Sequence, residues 1–216
     1  HSNINGFISV CNFCLKNKNS KLIYASSSSV YNGKEKKQSR ETDCITPSSV
    51  YGSTKAFNEM YAENLSKSHG LKAIGFRFFT VYGPWGRPDM AMYIFANKIH
   101  KGEPIFVFNN GDMKRDFTYI DDIISGIISA MKKNSSYDIL NLGNSKSEKL
   151  MTMISLIEKS MGKKAKIKLT GMQLGDVKNT YADIKDSYRK IGYKPTTSIS
   201  QGIPKFIKWF KEYHNC

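Results

Sequence analysis

The run Lys21-Leu-Ile-Tyr-Ala-Ser-Ser-Ser-Ser29 decides the fold, because it reads as a short buried strand that ends in four serines. Residues 3–16, just before it, carry apolar side chains at helical spacing. A polar loop at 32–48 follows, and then a second helical pattern at 50–69 and an apolar run at 72–79. This alternation predicts an α/β fold with a mostly parallel sheet, whose ligands bind beyond the carboxyl ends of the strands.

A change of organisation is expected at Gly83-Pro-Trp-Gly-Arg-Pro88, which is dense in turn-forming residues. Beyond it, the apolar periodicity predicts further helices and strands. The helices are expected near 90–101, 120–132, 150–161, 184–191 and 200–213, and the strands near 105–108, 137–142 and 165–169.

The charge of the chain is strongly basic, with 33 Lys and Arg against 18 Asp and Glu, or +15 at pH 7. Such a surface suits nucleic-acid phosphates or an anionic small ligand. The lysines are spread along the chain without a nucleic-acid module, so we expect no nucleic acid and favour the small ligand. No apolar run approaches the roughly 20 residues of a spanning helix, and the protein is expected to be cytoplasmic without membrane contact.

The cysteines predict no disulfide framework and no metal site. Cys11 and Cys14 lie three residues apart in an apolar helical pattern, and with Cys44 and Cys216 they indicate buried free thiols. The four histidines are scattered singly, whereas zinc needs several ligands at suitable spacing.

Tyr51 and Lys55 are the candidate pair for chemistry. Their spacing of four places both side chains on one face of a helix. An ammonium beside a phenol favours the phenolate, which would make Tyr51 a general base. A Tyr-x-x-x-Lys pair also arises by chance on the solvated face of a lysine-rich helix. The serines that follow the first strand would reach the same sheet edge, and they favour the catalytic interpretation.

Several longer strings resemble the extended short-chain dehydrogenase/reductase enzymes that act on nucleotide sugars, and most of all the UDP-glucuronate 4-epimerases. They cover nearly the whole chain, in order. The strings are Tyr24-Ala-Ser-Ser-Ser-Ser-Val-Tyr31, Ser49-Val-Tyr-Gly-Ser-Thr-Lys55, Arg77-Phe-Phe-Thr-Val-Tyr-Gly-Pro-Trp-Gly-Arg-Pro-Asp-Met-Ala91, Met113-Lys-Arg-Asp-Phe-Thr-Tyr-Ile-Asp-Asp122, Asn141-Leu-Gly-Asn144 and Gly175-Asp176.

The resemblance implies the C-terminal part of a Rossmann-like doubly wound parallel sheet, with a smaller α/β substrate-binding region. Residues 1–84 and 118–143 would form the partial NAD-binding domain with the catalytic residues, and 85–117 with 144–216 the nucleotide-sugar-binding domain. The glycine-rich strand-turn-helix of such folds is not in this sequence. We therefore expect this polypeptide alone to bind NAD poorly and not to epimerise UDP-glucuronate.

The resemblance also implies catalytic roles. Tyr51 would be the acid/base, Lys55 would hold the nicotinamide ribose, and Ser27 would orient the reacting sugar oxygen. Bound NAD would take a hydride from carbon 4 and return it to the other face, without net oxidation. The resemblance places Ala25, Ser26 and Phe78 beside the cofactor as well, and a homodimer through the helices near 3–16 and 50–69.

Two serines separate this reaction from related ones. Related 4,6-dehydratases carry an Asp-Glu pair directly after the position of Ser27, and related decarboxylases a Glu two residues after it. Here the positions hold Ser28 and Ser29, whose hydroxyls, with Thr80, would bind a sugar carboxylate instead of promoting elimination. These serines also fit a plain polar strand end.

For the nucleotide, the resemblance implies that Arg115 and Arg87 bind the diphosphate and that Asp176 accepts from the ribose hydroxyls. Surface arginines are common, so each is also compatible with no role. Gln173 stands where many relatives carry a second phosphate-binding arginine.

Two alternatives stay open. The substrate could be UDP-glucose/galactose, or the chain could be a non-catalytic nucleotide-sugar-binding module. Intact Tyr51, Lys55 and Ser27 argue against the module, because a binding protein has no use for a phenol base.

Overall fold

Helices and strands are interspersed along the chain in the computed structural model, which describes residues 1–17, 19–31, 38–172 and 176–215. The helices are α1 (Phe7–Lys16), α2 (Val50–His69), α3 (Ala91–Lys101), α4 (Ile120–Met131), α5 (Leu150–Met161), α6 (Lys185–Ile191) and α7 (Ile199–His214). The strands are β1 (Leu22–Ala25), β2 (Ala73–Phe78), β3 (Thr80–Tyr82), β4 (Pro104–Val107), β5 (Lys114–Arg115), β6 (Phe117–Tyr119), β7 (Tyr137–Leu142), β8 (Glu148–Lys149) and β9 (Lys166–Leu169).

A three-stranded parallel sheet has the strand order β1-β2-β7. Side chains of β2 alternate between its faces: Ala73 packs with α1 and α2, whereas Ile74 and Phe76 pack with α4. Gly75 has no room for a side chain, because a Cβ there would meet Tyr24 and Ile139. Among the described strands β1 pairs with β2 alone, so its other edge is open.

A second core packs α3, α5 and α7 together beside the paired strands β4 and β9. Helix α7 opens with a capping box, in which Ser198 and Gln201 satisfy each other's backbone groups. Its buried face carries Ile203, Phe206 and Phe210. Asp122, in the first turn of α4, accepts from the amides of Thr196 and Thr197, and so ties the sheet half to the start of α7.

The α/β class and the parallel sheet are confirmed, and the predicted elements lie close to the observed ones. One pair of strands was not predicted from the sequence: residues 80–82 form β3, which pairs in parallel with β6. Strands of three residues are too short to show a period. The division into two domains stays a prediction.

The thiols follow the prediction only in part. Cys11 and Cys14 are buried and free, and burial raises the pKa of the Cys11 thiol to about 11. Cys44 is free but exposed, so its predicted burial is wrong, and Cys216 lies outside the described residues. None of the described helices combines the length and the apolar character that crossing a membrane requires.

Candidate active site

The serine run forms a tight turn at the carboxyl end of β1. Ser27 caps a 3-10 turn at Ser28–Val30: its hydroxyl oxygen accepts from the amide of Ser29 at 3.1 Å, and its hydroxyl donates to the Ser29 Oγ at 3.1 Å. Ser27 is almost fully buried, while Ser28 and Ser29 are half-buried. The turn therefore holds Ser27 inward and presents the next two hydroxyls at the sheet edge.

Tyr51 and Lys55 lie in the first two turns of α2, which the Ser49 side chain caps by accepting from the amide of Gly52 at 3.0 Å. The Lys55 ammonium donates to the carbonyl of Ala25 at 3.0 Å and lies 5.8 Å from the centre of the Tyr51 ring. Partial burial lowers the pKa of Lys55, because it disfavours the charged form. The predicted pair thus shares one helix face beside the end of β1.

Gly52 lets the first turn of α2 lie directly against the serine run. A Cβ at this position would clash with the carbonyl oxygen of Ser29 and lie 2.9 Å from the Cβ of Pro47. The glycine is therefore a condition of the close approach between the first turn of α2 and the serine run.

A polar cavity of about 160 Å³ opens beyond the carboxyl ends of β1 and β2. We call it the hydroxyl cleft, because seven of its lining residues are serines or threonines. Its lining residues are Ser28, Ser29, Tyr31, Ser39, Ser48, Ser49, Phe79, Thr80, Arg115, Asp176, Val177, Asn179 and Thr180.

A larger cavity of about 490 Å³ adjoins it and shares Thr80, Arg115 and Asp176. We call it the aromatic cleft. It is also lined by Asp89, Met90, Ala91, Ile94, Phe95, Lys98, Phe106, Phe108, Met113, Phe117 and Leu150.

Arg115 lies where the two clefts meet. One of its amino groups, Nη2, donates to the Asp176 Oδ1 at 2.7 Å, and Nη1 donates to the carbonyl of Lys114 at 2.9 Å. Burial lowers the pKa of Arg115, although the Asp176 charge opposes this. An arginine held in this way at a cavity junction is suited to bind an anion between the two cavities.

The structure brings together most of the residues predicted to bind substrate. Ser28, Ser29, Thr80, Arg115 and Asp176 all line the hydroxyl cleft.

Arg87 is the exception. Its Nε and Nη2 donate to the two carboxylate oxygens of Asp89 at 3.0 and 2.9 Å, and its side chain is 71% exposed. It lines neither of the two clefts. Gln173 lies outside the described residues.

The residues expected beside a cofactor differ in how far they are available. Ala25 is exposed, and its carbonyl accepts from Lys55. Phe78 is half-buried and stacks on Phe76 at 5.8 Å between ring centres. Ser26 is only 2% exposed, and its hydroxyl donates to Glu59 inside the protein. A contact from Ser26 to a cofactor would therefore have to use its backbone.

Sequence reasoning missed several lining residues, among them Ser39 and Thr180. Ser39 arrives through a parallel bridge to Ala182, with its amide donating to the carbonyl of Tyr181 at 2.7 Å. No local sequence pattern predicts this pairing, because the two segments are far apart in the chain.

We expect Gly52→Ala to push the start of α2 away from the serine run, at a cost of about 1–3 kcal/mol of folding stability, as for other overpacked sites. The matched control is Gly6→Ala, at the N-cap of α1, where an added Cβ meets nothing within 4 Å. Urea unfolding of both variants measures the difference. Equal stability of the two variants would show that the contact between Gly52 and Ser29 is unimportant.

Comparison with known proteins identifies the family. Residues 1–143 match the NAD dependent epimerase/dehydratase family. The chain is 50% identical over 212 residues to an uncharacterised protein of Methanocaldococcus jannaschii, a match that covers 98% of this chain and 65% of that protein. It is 39% identical over 234 residues to UDP-glucuronate 4-epimerase 4 of Arabidopsis thaliana, covering 100% of this chain and 54% of that protein.

A solved structure extends the likeness to the fold. The UDP-glucuronic acid 4-epimerase from Bacillus cereus, in complex with UDP-glucuronic acid and NAD, superposes with a TM-score of 0.92 at 32% identity. The match covers 98% of this chain and 68% of that structure, so this chain spans about two thirds or less of each relative. The chain belongs to the NAD-dependent epimerase/dehydratase family.

Proposed function

We propose that the protein to which this chain belongs is an NAD-dependent UDP-sugar 4-epimerase that converts UDP-glucuronate to UDP-galacturonate. The observation that carries the proposal is the placement of Tyr51 and Lys55 beside a serine run that opens into the hydroxyl cleft. The likeness to 4-epimerases of UDP-glucuronate supports it.

The described residues fit a nicotinamide cofactor at the end of β1. The Lys55 ammonium uses one donor on the Ala25 carbonyl, and an ammonium has two more for ribose hydroxyls. NAD, when bound, supplies the acceptor that takes a hydride from carbon 4 of the sugar and gives it back.

Residues of this chain carry out the proton transfer of the reaction. Tyr51 takes the proton of the 4-hydroxyl as the hydride leaves carbon 4, and a 4-keto sugar results. The Lys55 ammonium lies 5.8 Å from the centre of the Tyr51 ring, and the Ser27 hydroxyl orients the reacting oxygen. After the keto sugar turns over, Tyr51 returns the proton while the hydride adds to the opposite face, so no net oxidation occurs.

The hydroxyl cleft favours an acidic sugar. Ser28, Ser29 and Thr80 are neutral donors that suit a carboxylate, and the two positions after Ser27 carry no acid to promote elimination. In the 4-keto intermediate the carboxylate lies β to the ketone and is prone to leave as CO₂. Hydroxyls that hold it out of alignment with the ketone would protect it.

The nucleotide part of the substrate would occupy the aromatic cleft. Arg115, where the two clefts meet, binds the diphosphate, and Asp176 accepts hydrogen bonds from the ribose hydroxyls. Both contacts replace the ion pair between Arg115 and Asp176 when substrate binds. Arg87 is the weaker diphosphate candidate, because it would first have to leave Asp89.

In the full-length protein, Tyr51→Phe should lower kcat for UDP-glucuronate by about 10²- to 10⁴-fold, the usual worth of a general acid/base. Conversion to UDP-galacturonate is followed by chromatography, and bound NAD is quantified to show that the cofactor site survives. The control is Tyr61→Phe on the same helix, whose ring stacks on Phe57. Comparable activity of both variants would remove Tyr51 from the mechanism.

Ser29→Ala should lower kcat/KM for UDP-glucuronate by about 10- to 100-fold, because a hydrogen bond to a charged group is worth about 1.5–3 kcal/mol. UDP-glucose, which has no carboxylate, serves as the internal control. Loss of the contact between Ser27 and Ser29 would affect both substrates. A change in the ratio of the two kcat/KM values therefore reports carboxylate binding. An unchanged ratio, or a wild type that prefers UDP-glucose, would favour the UDP-glucose/galactose alternative.

We also propose a homodimer through α1 and α2. Val10 and Phe13 are exposed large apolar residues three positions apart on α1, and Met60 is exposed on α2. Buried together, such side chains provide the apolar centre of an interface.

Light scattering of the full-length protein should give a dimer mass, and Phe13→Asp should shift it toward the monomer by placing a charge in the apolar contact. Tyr188→Asp is the control, since Tyr188 on α6 is 61% exposed and Phe13 is 64% exposed. A dimer that persists equally in both variants would contradict this interface.

A further inference from the structure

A buried carboxylate joins the serine run to the catalytic helix. Glu59 lies on α2 four residues after Lys55 and eight after Tyr51, on the same helix face. The Ser26 hydroxyl, directly before Ser27, donates to the Glu59 Oε1. Ser26 and Glu59 are 2% and 4% exposed, so neither side chain is placed to touch a ligand in solvent.

Arg77, in the central strand β2, fixes the orientation of this carboxylate. Its Nε donates to the Glu59 Oε1 at 2.9 Å and its Nη2 donates to the Oε2 at 2.7 Å, a two-pronged contact. Burial by itself would lower the pKa of Arg77, but the hydrogen bonds to Glu59 and Tyr31 and the Glu59 charge outweigh it and raise the pKa. The Arg77 guanidinium therefore stays charged inside the protein.

The same arginine also holds the far end of the serine run. Its Nη1 donates to the Tyr31 hydroxyl at 2.7 Å, and Tyr31 follows the turn at Ser28–Val30 directly. The Tyr31 hydroxyl in turn donates to the Asn141 Oδ1 at 2.8 Å, at the neighbouring strand β7. The turn is thus anchored at Ser26 on one side and at Tyr31 on the other.

We propose that Glu59 is a positioning residue: through Ser26 directly, and through Arg77 and Tyr31, it sets the distance between Ser27 and Tyr51. This rests on the proposed function. Proton transfer needs donor and acceptor at hydrogen-bond distance, and small misplacements of reacting groups lower the rate strongly. Since Ser26 and Glu59 are buried and line neither cleft, loss of the contact between them should lower kcat and spare binding.

The sharpest variant is Ser26→Ala in the full-length protein. It removes one hydroxyl and leaves both oxygens of Glu59 bonded to Arg77, so the ion pair survives. We expect kcat for UDP-glucuronate to fall about tenfold, with KM, NAD content and the unfolding midpoint unchanged. Ser26→Thr, which keeps a hydroxyl, should recover most of kcat. Ser20→Ala deletes a hydroxyl that donates to the Asn17 carbonyl and takes no part in the network, so it should leave kcat unchanged.

A second measurement tests the proposal independently of catalytic activity. Amide hydrogen exchange of residues 26–31 should be faster in Ser26→Ala than in the wild type, because the turn loses one anchor. Unchanged exchange, or a wild-type kcat in Ser26→Ala, would overturn the positioning role. A lower NAD content with normal kcat per bound NAD would overturn it too, and would make Ser26 a cofactor residue. A wild type that epimerises no UDP-sugar would instead refute the proposed function, with the exchange result still deciding the positioning role.

Discussion

The buried ion pair between Glu59 and Arg77 is the constraint on which the site depends. Each side chain is 5% exposed, and removing charges from water costs several kcal/mol per ion unless partners replace the water. Here the partners are complete, since the pair also binds Ser26 and Tyr31. Because one charge sits on α2 and the other on β2, the helix has one favourable position on the sheet.

Most groups of the site lie at the ends of strands and helices or in the short turns beside them. The end of β1, the start of α2 and the pair β3 and β6 supply the groups, and each is held by backbone contacts. Thr80 donates its amide to the carbonyl of Asp116, just before β6, and the buried Asp116 carboxylate accepts from the amides of Asn144 and Ala182. Burial raises the pKa of Asp116 to about 6.

Much of this organisation could be predicted from local patterns. Two features of the site depend only on neighbours in the sequence: the spacing of Tyr51 and Lys55, and the serines that follow an apolar run. The structure contains both. The pairing of β3 with β6 and the arrival of Ser39 in the hydroxyl cleft depend on contacts between distant segments. For Arg87, the family motif indicated a ligand contact. In the structure its guanidinium is instead paired with the carboxylate of the nearby Asp89.

The contact of Gly52 with the serine run involves the Ser29 carbonyl and not its side chain. At this point helix α2 packs against the backbone of the turn, which any residue at 29 would also supply. Divergent members of such a family could exchange hydroxyls for acids at these two positions and acquire a different reaction. The proton-transfer pair would keep its place, so new chemistry could evolve here without a new fold.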